Sequence, residues 1–352
     1  MKKILLVTFS DNADHQDITF GMYEQFKDNA NVYLMCIKTP KASLSKTERC
    51  WLVDCPKRPG ITKKTFDIIL LNKIIRRINK ERFDAIFFET LHIWNLAIML
   101  RCHGNTKMYQ VIHDVIPHEG DKAAKSVNLM NKAVCKLADY IVLVNKKYIN
   151  YLHDTYSVDL KRIKSLDMWR RFGTYTKPTY SKKVLFFGRI NPYKGADNLL
   201  KLVEMCPEIN FVVTGSVDPQ VKDTVDNIQK HKNVKTTLGY VSDQQMENAF
   251  INCDWVIVPY NSATQSGVVI DAYRYGRPVI AFNVGAISEQ VDEGVSGYLI
   301  EPGNIDAFAD CLKKAVQKSD KELDQLSRSA YKYGVNKYAA EGAVDRFLKL
   351  FE

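Results

Sequence analysis

No apolar stretch in this 352-residue sequence is long enough to cross a bilayer; the longest, such as Ile4–Phe9 and Ile141–Val144, end after a few residues. No signal peptide is read either, because Met1-Lys2-Lys3 runs straight into a strand-like ILLVTF with neither an extended apolar core nor a small-residue cleavage site. CxxC pairs are absent. The eight cysteines are scattered, and Cys50 and Cys55 form the one close pair, which excludes a zinc-ribbon pattern or a disulfide framework and suits the reduced thiols of a cytoplasmic protein. Low-complexity tracts and short-period repeats are missing too, so disorder and collagen-like scaffolds are excluded. No platform of stacking aromatics and no groove helix accompanies the basic residues, which argues against a nucleic-acid binder.

What remains is a mixed composition, 46% hydrophobic and 26% charged, at a length that fits one large or two medium domains with a full core. The net charge of +10 is unevenly placed. Residues 1–175 carry 29 Lys/Arg against 18 Asp/Glu, whereas residues 176–352 carry 21 against 22. The excess therefore belongs to the first half, as expected of a surface that meets phosphates, an anionic membrane or another polyanion.

Periodicity organises the chain into two similar halves. In the first, Ile4–Phe9, Val32–Ile37, Ala85–Phe88, Met108–Ile112 and Tyr140–Val144 read as strands, with helices predicted over Phe66–Lys80 and Ala123–Leu137. In the second, Val184–Phe187, Asn210–Thr214, Trp255–Pro259, Pro278–Phe282 and Tyr298–Ile300 read as strands, and Asn198–Met205, Asp243–Asn252, Gly267–Tyr275 and Ile305–Gln317 as helices. Alternating strands and helices point to parallel βαβ units. The expected layout is a first domain over 1–170, a linker at 171–183, a second domain over 184–334, and an amphipathic helix over 335–352 that crosses back to the first. Ligands would bind in a cleft beyond the carboxyl ends of the strands.

Two segments carry the chemistry. In Leu185-Phe-Phe-Gly-Arg-Ile-Asn-Pro-Tyr-Lys-Gly195, a strand ends at Phe187, Gly188 permits a close turn, and Arg189 and Lys194 flank the loop before a helix. Two cations and a helix N-terminus converging past a strand end form an anion cradle; the plainer reading is a surface loop with solvated charges. In Pro259–Gly285, Ser266 and Gly267 open a helix whose first N–H groups, at Gly267, Val268 and Val269, would face a pyrophosphate. Asp271, one turn further in, has the chemistry to accept ribose hydroxyls, and alone it would equally serve as a first-turn acid that suits the helix dipole.

These segments, with Leu238-Gly-Tyr-Val-Ser-Asp243 and Asn283-Val-Gly-Ala-Ile-Ser-Glu289, resemble glycosyltransferase family 4. The resemblance is dense over Val184–Gly303 and thinner, though consistent in order, before it. It implies a GT-B fold, two Rossmann-like parallel-sheet domains facing across a cleft, and a retaining enzyme that needs no metal or other cofactor. Its donor would be a nucleotide sugar, UDP- or GDP-linked, and its acceptor a glycan or a lipid-linked molecule. By the same resemblance Arg189, Lys194 and the amides at Gly267–Val269 would hold the donor diphosphate, Asp271 would contact the ribose, and Gly188, Gly215 and Tyr240 would border the nucleotide. Val111-Ile-His-Asp-Val-Ile-Pro117 resembles the family's His-bearing strand end, which makes His113 and Asp114 the catalytic candidates.

Two positions depart from the pattern. The family's Glu-x7-Glu would put carboxylates at 263 and 271, but this chain has Ala263 and Asp271, leaving Gln265 or Ser266 to contact the donor sugar. The Gly-Gly loop after the first strand is replaced by Ser10-Asp-Asn-Ala-Asp-His-Gln-Asp17, read as a polar loop. Ala263 keeps open a non-catalytic nucleotide-sugar binder, and a GT-B nucleotide-sugar epimerase is the other alternative. Basic amphipathic stretches, with Lys73, Arg76, Arg77 and Lys80 in one and Lys122, Lys125, Lys132 and Lys136 in the other, suit peripheral contact with the inner face of the cytoplasmic membrane.

Overall fold

A computed structural model of the chain describes residues 2–10, 13–27, 31–38, 48–54, 63–102, 104–116 and 124–352. It divides into two compact units: the first comprises Met1–Pro117, Asp121–Trp169 and Ala340–Glu352, and the second Arg170–Ala339.

Among the described residues the first unit is built on seven strands: β1 (Lys3–Thr8), β2 (Asn31–Ile37), β3 (Cys50–Val53), β4 (Ala85–Phe88), β5 (Lys107–Ile112), β6 (Tyr140–Leu143) and β7 (Ile163–Ser165). All pair in parallel, in the order β3-β2-β1-β4-β5-β6-β7. Alternate residues of β1 feed different cores: Leu5 and Val7 pack on one face of the sheet, Ile4 and Leu6 on the other. Both faces are covered by helices, which is why these strands read as continuous apolar runs. The helices are α1 (Ala13–Phe26), α2 (Ile68–Glu81), α3 (Ile93–Arg101), α4 (Ala124–Leu137) and α5 (Ile149–Tyr156).

The second unit repeats the plan with six parallel strands: β8 (Lys183–Phe187), β9 (Asn210–Gly215), β10 (Val234–Leu238), β11 (Trp255–Val258), β12 (Val279–Phe282) and β13 (Gly297–Ile300), in the order β10-β9-β8-β11-β12-β13. Its helices are α6 (Ala196–Met205), α7 (Lys222–Gln229), α8 (Asp243–Ile251), α9 (Gly267–Arg274), α10 (Ile287–Gln290), α11 (Ile305–Val316) and α12 (Asp320–Tyr338). The strand order reverses between β1 and β4 in one sheet and between β8 and β11 in the other. These are the points where open α/β sheets bind ligands past their carboxyl ends.

Two expectations need correction. The segment over 335–352 is not one helix: α12 ends at Tyr338, Ala339 turns extended (φ −67°, ψ 145°), and α13 (Ala340–Lys349) begins anew. Phe347 of α13 stacks on Phe26 at 4.5 Å and meets the edge of Phe87 at 5.2 Å, inside the first unit's core. The stretch read as a polar loop through Asp17 is already helical from Ala13, because Ile18, Met22 and Phe26 recur at helical spacing and bury one face.

The aperiodic segment after Trp169 is held by two buried charges. Asp254 accepts backbone N–H groups from Thr179, Tyr180 and Lys182 at 2.7–3.0 Å. The guanidinium of Arg277, fully buried, donates to the carbonyls of Thr176, Lys177, Phe250 and Ile251 at 2.9–3.1 Å.

Candidate functional site

In the second unit three strand ends meet. Gly188, just past β8, has φ +101°, and a Cβ there would lie 2.9 Å from Lys194 Nζ and 3.7 Å from Val268 Cγ2. The Lys194 ammonium, the bare backbone at Gly188 and the first turn of α9 are therefore brought to one spot. Gly215, the last residue of β9, backs this turn so closely that a Cβ would fall 1.8 Å from the Gly188 carbonyl oxygen. A side chain at Gly215 would strike backbone and one at Gly188 would displace the Lys194 ammonium, so bare backbone forms the floor of the turn.

The loop that carries Lys194 is stitched to the end of β11. Asn191 Oδ1 accepts from the Lys194 N–H at 2.9 Å, and Tyr193 O accepts from the N–H of Asn261 at 2.8 Å. Asn198 Nδ2 donates to Pro259 O at 2.9 Å and to Asn261 Oδ1 at 2.8 Å. Gly195 (φ +76°) permits this approach, since a Cβ would sit 2.0 Å from Pro259 O. Lys194 Nζ also lies over the ring of Tyr260, 5.4 Å from its centroid. Arg189, on the same loop, is solvent-exposed and makes no ion pair or hydrogen bond among the described residues.

The start of α9 is fixed by Gln290, which clamps Ser266 from both sides. Its Oε1 accepts the Ser266 N–H at 2.7 Å and its Nε2 donates to Ser266 O at 3.0 Å. Ser266 makes no side-chain cap, so its hydroxyl leaves the first-turn N–H groups of Gly267, Val268 and Val269 to another acceptor. Gln265 is half-buried beside it, and Ala263 is buried. Asp271, with a nearly buried side chain, accepts from Arg170 Nε at 3.2 Å and from Arg274 Nη1 at 3.1 Å; both bonds end on Oδ1. Gly239 N–H donates to Gly215 O at 3.0 Å, which brings the turn after β10 to the same end of the sheet. The next residue, Tyr240, is 89% exposed there. The sequence-predicted residues of this half thus lie at the carboxyl end of one sheet, around its topological reversal.

In the first unit His113 follows β5, and Asp114, half-buried, follows it. His113 Nε2 lies 2.8 Å from Glu89 Oε1 and 3.0 Å from the Glu89 carbonyl oxygen. Glu89 immediately follows β4, and its carboxylate also meets His15 of α1, with Nδ1 3.3 Å from Oε1 and 3.2 Å from Oε2. Burial would raise the Glu89 carboxyl, but the two imidazoles hold it down to about 2. Burial would likewise lower the His113 imidazole, yet Glu89, and after it Asp114, leaves it above its ordinary value. Neither His15 nor Glu89 stands out in the sequence: a Glu after a four-residue apolar strand reads as an exposed turn. The strand ends carrying these residues are held rigid by buried amides, since Asn95 Nδ2 donates to Thr90 O at 2.7 Å and Gln110 Oε1 at 3.0 Å.

Residues 167–333 match the family model described as glycosyl transferases group 1. Among curated relatives, the D-inositol 3-phosphate glycosyltransferase of Mycolicibacterium smegmatis is 28% identical over 192 residues, covering 53% of this chain and 43% of the relative. The chain thus spans less than half the length of that relative. The poly(ribitol-phosphate) alpha-N-acetylglucosaminyltransferase of Staphylococcus aureus is 25% identical over an alignment covering 99% of this chain and 72% of the relative. Among solved structures, Anabaena HepE in complex with UDP and glucose superposes with a TM-score of 0.78 at 14% identity, covering 99% of each chain. The fold is GT-B, with two Rossmann-like parallel-sheet units.

Proposed function

We propose that this chain, which carries a group 1 glycosyl transferase segment on a GT-B fold, is a retaining, metal-independent glycosyltransferase. In this reading it belongs to family 4 and transfers a sugar from a UDP- or GDP-linked donor to a glycan or lipid-linked acceptor, in bacterial cell-surface polysaccharide or glycolipid synthesis. The observation that carries the reading is the convergence of Lys194 Nζ, the bare backbone of Gly188 and the first turn of α9 at the strand-order reversal of the second unit.

Departure of a nucleoside diphosphate builds negative charge on its phosphates. Lys194, Arg189 and the N–H groups of Gly267–Val269 supply positive charge there without an ion. Asp271 accepts the ribose hydroxyls through Oδ2, its Oδ1 being committed to Arg170 and Arg274. Tyr240 offers an exposed ring to the base, and Gln265 and Ser266 take the sugar contacts that a carboxylate at 263 would make. His113 is the catalytic candidate of the first unit, with Asp114 as the second.

The excess of Lys/Arg in the first half suits an anionic acceptor, and two relatives are named for phosphate-bearing acceptors. It also suits the inner face of the cytoplasmic membrane: Phe66, Ile68 and Ile69 are 62–85% exposed at the start of α2, beside exposed Lys63, Lys64 and Lys73. Lys122, of the second basic stretch, lies outside the described residues.

Calorimetry with UDP- and GDP-sugars tests the donor site. One nucleotide should bind, and Arg189→Ala should weaken it by about 10- to 100-fold, the scale of a charged hydrogen bond. Full transferase activity in that variant would refute the diphosphate role. Flotation with anionic against neutral vesicles at low salt tests the membrane contact.

A further inference from the structure

The first unit holds a charge that no turn or cap requires. Glu89 is fully buried at the strand-order reversal of that sheet, and two imidazoles from different elements converge on it. A buried carboxylate is tolerated only when paired and hydrogen-bonded. Its Oε1 is satisfied by His113. Its Oε2 lies 3.2 Å from His15 Nδ1.

The geometry also fixes a proton. His113 Nε2 lies within hydrogen-bond distance of two oxygens, the Glu89 carboxylate and the Glu89 backbone carbonyl. A carbonyl oxygen only accepts, so Nε2 must carry hydrogen. The same point weighs against a resident cation. The three donor atoms lie within 4.8 Å of one another, near enough for a metal, but an Nε2 that bound one would carry no hydrogen and could not donate to the Glu89 carbonyl. The rings of His15 and His113 meet edge to face at 4.9 Å, so both press on one anion.

We propose that His15, Glu89 and His113 act as one unit in which Glu89 is the positioning residue: it locks the His113 ring with Nε2–H inward, while His15 shares the carboxylate from the other side. Among the described residues, Glu89 past β4, His15 on α1 and Asp114 past β5 are charged or titratable groups that face His113. Glu89 accepts from the ring nitrogen that the carbonyl fixes, at 2.8 Å. The consequence, which rests on the proposed transfer, is that Nε2 is committed to Glu89 and that the neighbouring carboxylate favours the charged form of the ring, the form that can donate to an oxygen gaining negative charge.

The test uses the whole protein and needs no substrate. Imidazole nitrogen shifts of His113 are followed against pH by NMR in the wild type, Glu89→Gln and His15→Asn, with each variant's melting temperature checked first. The wild-type ring should hold its Nε2 proton throughout and titrate above the ordinary histidine range. In Glu89→Gln its midpoint should fall by roughly one to three pH units, the usual effect of removing an adjacent opposite charge. His15→Asn should leave the Nε2 proton in place. An unchanged His113 midpoint in Glu89→Gln overturns the proposal. So does stoichiometric binding of zinc to the wild type that His15→Asn abolishes, since that makes the triad a metal site. If Glu89→Gln does not fold, Glu89→Asp stands in, and it should keep the raised midpoint in part.

A kinetic arm then separates this idea from the donor assignment. With a nucleotide sugar that binds, Glu89→Gln should lower kcat and move the alkaline limb of the pH profile to lower pH, with KM for the donor nearly unchanged. A rise in donor KM alone counts against the proposal. Failure of every nucleotide sugar to bind would refute the functional reading while leaving the NMR result to judge the triad.

Discussion

Lys194 Nζ occupies the space that a side chain at Gly188 would need, 2.9 Å from where its Cβ would stand. The first prediction follows. Gly188→Ala must accept φ +101°, at a cost of about 1–2 kcal/mol, and must push the ammonium aside. Because the clash is with the end of a flexible chain, the protein should still fold, while affinity for a nucleotide diphosphate falls by more than the change in stability accounts for. Gly215→Ala is the contrasting variant. Its Cβ would meet backbone, at 1.8 Å from Gly188 O, so it should cost stability first. Melting temperatures and calorimetric affinities of the two variants would show the split, and equal losses in both would contradict it.

Arg277 offers a second prediction. Its planar fork ties Thr176 and Lys177 to Phe250 and Ile251 through four hydrogen bonds. Lysine retains the charge but cannot reproduce the fork, and it would leave buried carbonyls unpaired. Arg277→Lys should lower stability by about 2–4 kcal/mol in urea unfolding and expose the backbone near Lys177 to protease. A variant as stable as the wild type would mean the fork contributes little.

Much of this was legible in the sequence, and what was not has physical reasons. The β8 loop and the 259–285 run announced themselves because Gly188, Gly195, Pro259 and Ser266 punctuate apolar strands where chain direction changes. The core strands showed as apolar runs since both sheet faces are covered. By contrast, β10, a sheet-edge strand of sequence VKTTL, has no buried residue and so no apolar signature. The break at Ala339 has no Gly or Pro to mark it. Glu89 was invisible because its partners, His15 and His113, lie 74 and 24 residues away in sequence and only the strand order brings them together. The α1 pattern was available in Ile18, Met22 and Phe26 but masked by the polar residues ahead of it.

The third prediction concerns α13. Phe347 is fully buried between Phe26 and Phe87, and a helix that contributes such a ring to the core is part of the fold. Phe347→Ala should cost about 3–5 kcal/mol, read from denaturant midpoints. Affinity for nucleotide, assigned to second-unit residues, should stay nearly constant below the transition. A loss under 1 kcal/mol would show that the ring's neighbours collapse into the space it leaves.

The last prediction is the pH dependence of stability. The Glu89 carboxyl is held at about 2, below its ordinary 4.5, so the unfolded chain binds more protons there. Its contribution is complete above pH 4.5 and is lost as pH falls toward 2. His113 is shifted the other way, above its ordinary 6.5, so its contribution is complete below 6.5 and is lost as pH rises through its folded value. The two windows overlap between pH 4.5 and 6.5, where the triad should stabilise the first unit most. Urea unfolding of the wild type and Glu89→Gln at graded pH isolates the term: the gap between them should be widest in that interval and close on both sides. A gap that stays flat from about pH 3 to pH 9 would mean that the carboxylate and His113 do not titrate as a pair.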